Sequence, residues 1–288
     1  VSTASPLTFA VLDVGGTSIK IGAVRGADAV VAGSIPALAT ADRTTVVEQL
    51  SRAAQQSIRC ATELSGNIVS GLGISFPGPF DLFGGRPLLT APGKFHAIHG
   101  ADLRAELRAV TDLPIEFARD SEAVGVGEAR HGAGAGHRRV LTVALGTGFG
   151  ACLTVGGQPV GDVGTHRIES LFELLTPDGR VDDVLSASGL ARTLGVDTDD
   201  LGGLLTDPAQ QPSVREGLNE YGHRLGSFLA TLGALDADII VISGGLGGSF
   251  GLFAEATARH LDVPIVASRL GARAALLGTA HLAFPDTA

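Results

Sequence analysis

Two stretches of the sequence combine an acid with residues suited to phosphate chemistry. The first is DVGGTSIK, from Asp13 to Lys20. Gly15 and Gly16 permit a turn whose backbone N–H groups converge on an anion, and neither carries a Cβ where a ligand must come close. Thr17 adds a hydroxyl donor and Lys20 a charge for phosphate oxygens. Asp13 offers a carboxylate that could hold Mg²⁺ directly or through water. The second stretch is ARDSEAVGVGEARHG, where Asp120 stands between a short apolar run and a helical one. An acid there either caps the helix or accepts a proton from a substrate hydroxyl. Read alone, each stretch also has a plain structural reading: a hairpin turn with a solvated acid, and a capping aspartate.

Two further glycine turns lack an acid. LGTGFG, with Gly146, Thr147 and Gly148, offers the same amide chemistry. The residues after it read as strand and not helix, so it is not a dinucleotide fingerprint. ISGGLGGSF, with Gly244, Gly245 and Leu246, reads as strand, turn and helix. That layout suits a nucleotide's phosphate or sugar at a helix N-terminus, or is simply a tight connection. No GxxxxGK[ST] run is present. His96 and His99 have poor metal-ligand spacing and read as a surface loop. Cys60 and Cys152 lack CxxC partners, so neither a disulfide framework nor a zinc knuckle is expected.

The elements that must position these motifs follow from hydrophobic periodicity. Residues 7–14 and 19–24 read as a hairpin with GGTS at the turn. Residues 44–64 form a helix, with Val47, Leu50, Ala54, Ile58 and Ala61 on one stripe. A strand at 68–75 runs into the proline-bearing loop FPGPFD. A short helix at 101–110, a strand at 115–118 and a helix from about 121 follow. The plan then repeats. Residues 140–145 and 151–155 form a second glycine-turned hairpin. A long helix at 214–235, a strand at 239–243, a helix from 249, a strand at 264–267 and a last helix from 273 complete it. The expectation is an α/β protein of two similar domains with a cleft between them. The first spans 1–117, completed by a C-terminal helix at 271–288, and the second spans 118–270.

Composition narrows the partners. The 288 residues are 44% hydrophobic, enough for a substantial core. A net charge of -9 argues against nucleic acid and against an anionic membrane surface. No apolar run reaches the roughly 18 to 20 residues a bilayer requires. The opening VSTASPLTF lacks a signal-peptide pattern, and a cytoplasmic protein is expected. Of 21 basic residues only Lys20 and Lys94 are lysines, and both lie in motifs.

In type and order the motifs resemble those of the actin and hexokinase superfamily of phosphotransferases. Within it, the chain is similar to the ROK family of bacterial sugar kinases and related repressors, over nearly its whole length. DVGGTSIK resembles the family's first phosphate motif, LGTGFGA its second and ISGGLGG its adenosine-side motif. GISFPGPFD, with Pro77 and Gly78, resembles the proline–glycine loop near the sugar. RDSEAVGVGEARHG stands where the family carries NDANxxxxGE, which puts Asp120 on the catalytic base. Arg119 and Glu122 replace the family's two asparagines there, and Gly93 followed by Lys94 replaces another. The family's GExGH is GDVGTH here, with Asp162 for the glutamate, Thr165 for the histidine and His166 one place late. The cysteine-rich zinc motif is absent, so no structural zinc is expected. A zinc-lacking subset is similar, with Lys94 and Phe95 ahead of G-x-D-L and an acidic pair in VDDVLSASG. Only 12 residues precede Asp13, so the repressor branch is not expected.

The resemblance implies two ribonuclease-H-like (actin-like ATPase) domains, ATP with Mg²⁺, a small sugar substrate and a homodimer. The implied activity is transfer of the γ-phosphoryl group of ATP to a hydroxyl of a hexose or hexose derivative. Its alternatives are a polyphosphate donor and a non-catalytic sugar or nucleotide sensor. Asp120 is expected to take the proton late in the transfer, which a carboxylate of ordinary pKa near ~4 can do. The substrate side comprises Pro77, Gly78, Lys94, Phe95, Arg119, Glu122, Asp162 and His166. Arg119 pairs either with an anionic substrate group or with Glu122.

Overall fold

The computed structural model describes residues 6–66, 68–90, 93–206 and 212–285. Its contacts divide the chain into two compact units. One is residues 1–127 with 272–288, the other 128–271, and the division falls inside the helix Asp120–His131.

The first unit is built on a five-stranded mixed sheet. Thr8–Val14 is buried along its whole length, as expected of a strand with a neighbour on each side. Ser18–Arg25 pairs with it antiparallel, and Asp28–Pro36 extends that side as a largely exposed edge. On the other side Gly71–Phe76 and then Ile115–Arg119 run parallel to the first strand. The helix Arg43–Ser65 opens with Asp42 accepting from the Thr45 amide at 3.1 Å, which satisfies one of its unpaired N–H groups. Its apolar stripe, Val46, Leu50, Ala53, Ala54 and Ala61, packs on the first two strands. The helix Ala272–Ala283 packs on the same sheet, and Phe284 just beyond it stacks on Phe9 with ring centres 4.5 Å apart.

The second unit repeats the pattern of strand directions. Arg139–Leu145 and Phe149–Val155 form an antiparallel hairpin, extended by Gln158–Val160. Ile239–Ser243 and then Ile265–Ala267 lie parallel to Arg139–Leu145 on its other side. The helix Pro212–Thr231 buries Val214, Leu218, Tyr221, Leu225, Phe228 and Leu229. Thus the chain is mixed α/β with two five-stranded mixed sheets. Among the described residues no helix is long and apolar enough to cross a membrane.

Candidate active site

Parallel strands that neighbour one another deliver their following loops to one edge of a sheet, which is where open α/β sheets place ligands. In the first unit three strands do this. Asp13 is in register with Ser75, and Ser75 with Ala118. The residues that follow are the turn Gly15–Gly16, the loop Pro77–Gly78, and Asp120. Motifs far apart in sequence therefore share one sheet edge.

Asp13 is 6% exposed, and both carboxylate oxygens are engaged. Lys20 Nζ lies 2.5 Å from Oδ2, and Ser75 Oγ donates to Oδ1 at 2.9 Å. The antiparallel register sets Asp13 opposite Lys20, so the hairpin itself builds the ion pair. Within the turn the Gly15 amide donates to Ser18 O at 2.9 Å. Gly15 therefore closes the turn, while the amides of Gly16 and Thr17 have no acceptor among the described residues. Over Gly16 lies the side chain of Lys94. A Cβ on Gly16 would stand 2.5 Å from Lys94 Cδ and 2.8 Å from its Nζ, so a side chain there would push the lysine stem off the turn.

A resident Mg²⁺ is compatible with this donor set in one way. No group of three or more acidic, histidine or cysteine side chains is poised for a metal among the described residues. One buried carboxylate beside a phosphate turn matches a cation that keeps its waters and is shared with substrate phosphates. Asp13 would hold it.

Asp120 opens its helix and is partly exposed. Oδ1 accepts from the Ser121 amide at 2.7 Å, one residue on and not the two or three of a helix cap. Burial, followed by the nearby charge of Asp13, pushes its pKa up to about 7, against smaller opposing effects of the Ser121 amide and Lys20. The expected ordinary carboxylate value is thereby corrected: this acid binds and releases its proton near neutrality. Arg119 pairs with Glu122 at 3.0 Å, and both are partly exposed.

The remaining substrate-side residues divide. Pro77 is half-buried and Gly78 exposed at the sheet edge. Phe95 is 1% exposed, and its ring packs on Phe76 with centres 4.9 Å apart. Its side chain belongs to the core, so of Phe95 only backbone is left for a ligand. Asp162 and His166 share a two-rung hairpin in the second unit, where Asp162 is opposite Arg167 and Val163 opposite His166. Asp162 is exposed and His166 half-buried.

In the second unit the two glycine motifs also meet at one sheet edge, because Ser243 is in register with Ala144. Gly244 has φ 82°, and a Cβ there would stand 2.5 Å from Leu145 O. Gly146 donates to Gly148 O at 3.0 Å, and Thr147 and Gly148 are exposed. Gly245 is exposed, whereas Leu246 is 4% exposed and packs in the core, so of Leu246 only backbone is left for a ligand. A residue without an assigned role in the sequence holds this turn: Asp182 Oδ1 accepts from the Phe149 amide at 2.7 Å. Its signal was the acidic pair in VDDVLSASG. Ser75, in GISFPGPFD, is the corresponding omission at Asp13. Glu128 is a third; it is fully buried and accepts from the amides of Ala133 and Leu270 and the hydroxyl of Ser268.

Comparison with known proteins settles the lineage. The ROK family model matches residues 9–167, more than half of the chain. The chain belongs to the ROK family. An uncharacterised Clostridium perfringens protein is 25% identical over 196 residues, 65% of this chain and 61% of that one. The chain thus matches under two thirds of that relative's length. A Streptomyces coelicolor glucokinase is 36% identical over 56 residues, 19% of this chain and 18% of the enzyme. Among solved structures, a ROK hexokinase from Thermus thermophilus has TM-score 0.71 at 25% identity, covering 97% of this chain and 99% of that one. A ROK family glucokinase from Streptomyces griseus, in complex with glucose and AMPPNP, has TM-score 0.79 at 22% identity, covering 96% and 99%. This ROK chain accordingly has the actin-like ATPase fold.

Proposed function

We propose that this ROK protein is a sugar kinase that transfers the γ-phosphoryl group of ATP to a hydroxyl of a neutral hexose or hexose derivative. The observation that carries the reading is Asp120, a carboxyl at the same sheet edge as the Asp13–Lys20 pair and the amides of Gly16 and Thr17. Phosphoryl transfer needs alignment and charge stabilisation more than covalent help from the protein. The free amides and the Thr17 hydroxyl hold phosphate oxygens. Mg²⁺, bound through Asp13, would offset phosphate charge. Asp120 accepts the acceptor hydroxyl's proton as the new O–P bond forms, and its raised pKa matches that task to neutral pH. Gly146, Thr147, Gly148, Gly244 and Gly245 are assigned to the nucleotide. Pro77, Gly78, Asp162 and His166 are assigned to the sugar.

The glucose and AMPPNP of the Streptomyces griseus glucokinase support this pairing of acceptor and donor. A neutral acceptor is favoured because Arg119 already faces Glu122. The test is a coupled ADP-release assay over hexoses, amino sugars and sugar acids, run beside calorimetry with ATP. Sugar-dependent ADP release supports the proposal. Sugar phosphate formed from polyphosphate alone, or ligand binding with no turnover, replaces it with the corresponding alternative.

A further inference from the structure

We infer that Lys94, not Lys20, supplies the uncompensated positive charge that holds the donor's oligophosphate chain at the Gly15–Gly16 turn. This rests on the kinase reading of that turn and moves Lys94 from the sugar to the phosphates. The two lysines of the chain converge here from opposite sides. Lys20 reaches the turn along its own hairpin and ends 2.5 Å from Asp13 Oδ2, so its charge is matched inside the protein. Lys94 comes from the loop after residue 92. Its stem crosses Gly16, with Cδ, Cε and Nζ all within 2.9 Å of where a Cβ would stand. It is exposed and has no carboxylate partner among the described residues.

The loop is built to keep it there. Phe95 donates its amide to Ala39 O at 2.6 Å and adopts a left-handed backbone, φ 63°. Burial of its ring on Phe76 fixes the residue next to Lys94. Ile98, three residues later, is fully buried. These two core anchors fix the backbone from which the exposed Lys94 side chain projects. The residue type fits as well. A slim stem with a compact ammonium passes over a glycine and delivers a point charge to phosphate, whereas a guanidinium is a broad planar fork. In a chain whose other cations are arginines, lysine occurs at the two positions where a slender cation meets this turn.

ATP and inorganic polyphosphate present the same oligophosphate chemistry. Calorimetry on the full chain, wild type against Lys94→Ala and Lys94→Gln, uses ATP, tripolyphosphate and glucose as separate titrants. Losing one charge-assisted contact predicts Kd values for ATP and tripolyphosphate about 10- to 100-fold higher in both variants. Glucose affinity should stay within about two-fold, and the glutamine variant removes the charge while keeping a shorter polar side chain. Unchanged oligophosphate affinity, with or without weaker glucose binding, overturns the inference and leaves the kinase reading standing. A loss confined to ATP places Lys94 at the nucleoside and overturns it too. Wild-type protein that binds neither ATP nor tripolyphosphate removes the kinase reading together with the inference.

Discussion

Ser75 Oγ donates a 2.9 Å hydrogen bond to Asp13 Oδ1, and Ser75 is fully buried while Asp13 is 6% exposed. The contact joins neighbouring parallel strands at their matched ends, so it fixes the carboxylate's rotation as well as satisfying one oxygen. Removing the hydroxyl leaves that oxygen buried with no donor. A hydrogen bond to a charged group contributes about 1.5–3 kcal/mol, and Ser75→Ala should lower stability by that order in urea denaturation. Phosphate binding should weaken in the same variant because Asp13 and its partner Lys20 lose their common anchor. Full stability with full ATP affinity would show that Ser75 is incidental.

Asp182 has a parallel role in the second unit, where it accepts from the Phe149 amide directly after the LGTGFG turn. Asp182→Ala orphans a half-buried N–H, at about 1–3 kcal/mol, and loosens the turn. Asp182→Asn keeps an acceptor oxygen and should recover most of the stability. The comparison separates hydrogen bonding from charge. Equal losses in the two variants in thermal melts and in ATP titration would mean that the carboxylate's charge is what matters, and no loss in either would mean that its bond to Phe149 is incidental.

Much of this framework is legible in the residues themselves. The strand at 239–243 and both glycine-turned hairpins are dense apolar runs with one kind of turn between them, and they form Ile239–Ser243, Thr8–Val14 with Ser18–Arg25, and Arg139–Leu145 with Phe149–Val155. Asp28–Pro36 is not legible. It is an exposed edge held by backbone bonds to one neighbour, so no apolar alternation marks it. Residues 168–204 are likewise missed, because their short helices and two-residue ladders are below the length at which periodicity speaks. At the site, the acids and glycines stand out by type, but their neighbours do not. That the Phe95 ring beside Lys94 packs on Phe76 in the core depends on residues far off in sequence. The raised pKa of Asp120 is invisible in sequence because it depends on burial and on Asp13, 107 positions away.

Arg119 and Glu122 supply a smaller test. Their 3.0 Å pair joins the last residue of the strand Ile115–Arg119 to the first turn of the helix after it and is partly exposed, so it should contribute only about 0–1 kcal/mol. A double-mutant cycle of Arg119→Ala and Glu122→Ala should give a coupling within that range, reduced by salt. Neutral sugars should remain substrates of both variants. An acceptor preference that shifts from anionic to neutral sugars in Arg119→Ala would instead assign the guanidinium to the substrate.

Asp120 links activity and stability with opposite signs. As a base it must be ionised, and its pKa of about 7 means kcat/KM should fall about tenfold per pH unit below 7 and level off above it. Asp120→Asn should retain ATP binding and lose at least ~10²-fold in kcat. For folding, the carboxyl is raised from an unfolded value near ~4, so the folded protein holds the proton more tightly than the unfolded chain between these values. Its favourable contribution is therefore complete below pH ~4 and is lost as pH rises through about 7. The ionised group that chemistry requires is thus a destabilising one. Asp120→Asn should be more stable than wild type at pH 8, by about 1–3 kcal/mol after discounting for partial exposure, and the gap should close toward pH 4. Denaturation of both proteins across that range, with kcat measured in parallel, decides it. A variant that is less stable at pH 8, or a wild-type rate independent of pH between 5 and 8, would show that Asp120 is not the strained base proposed.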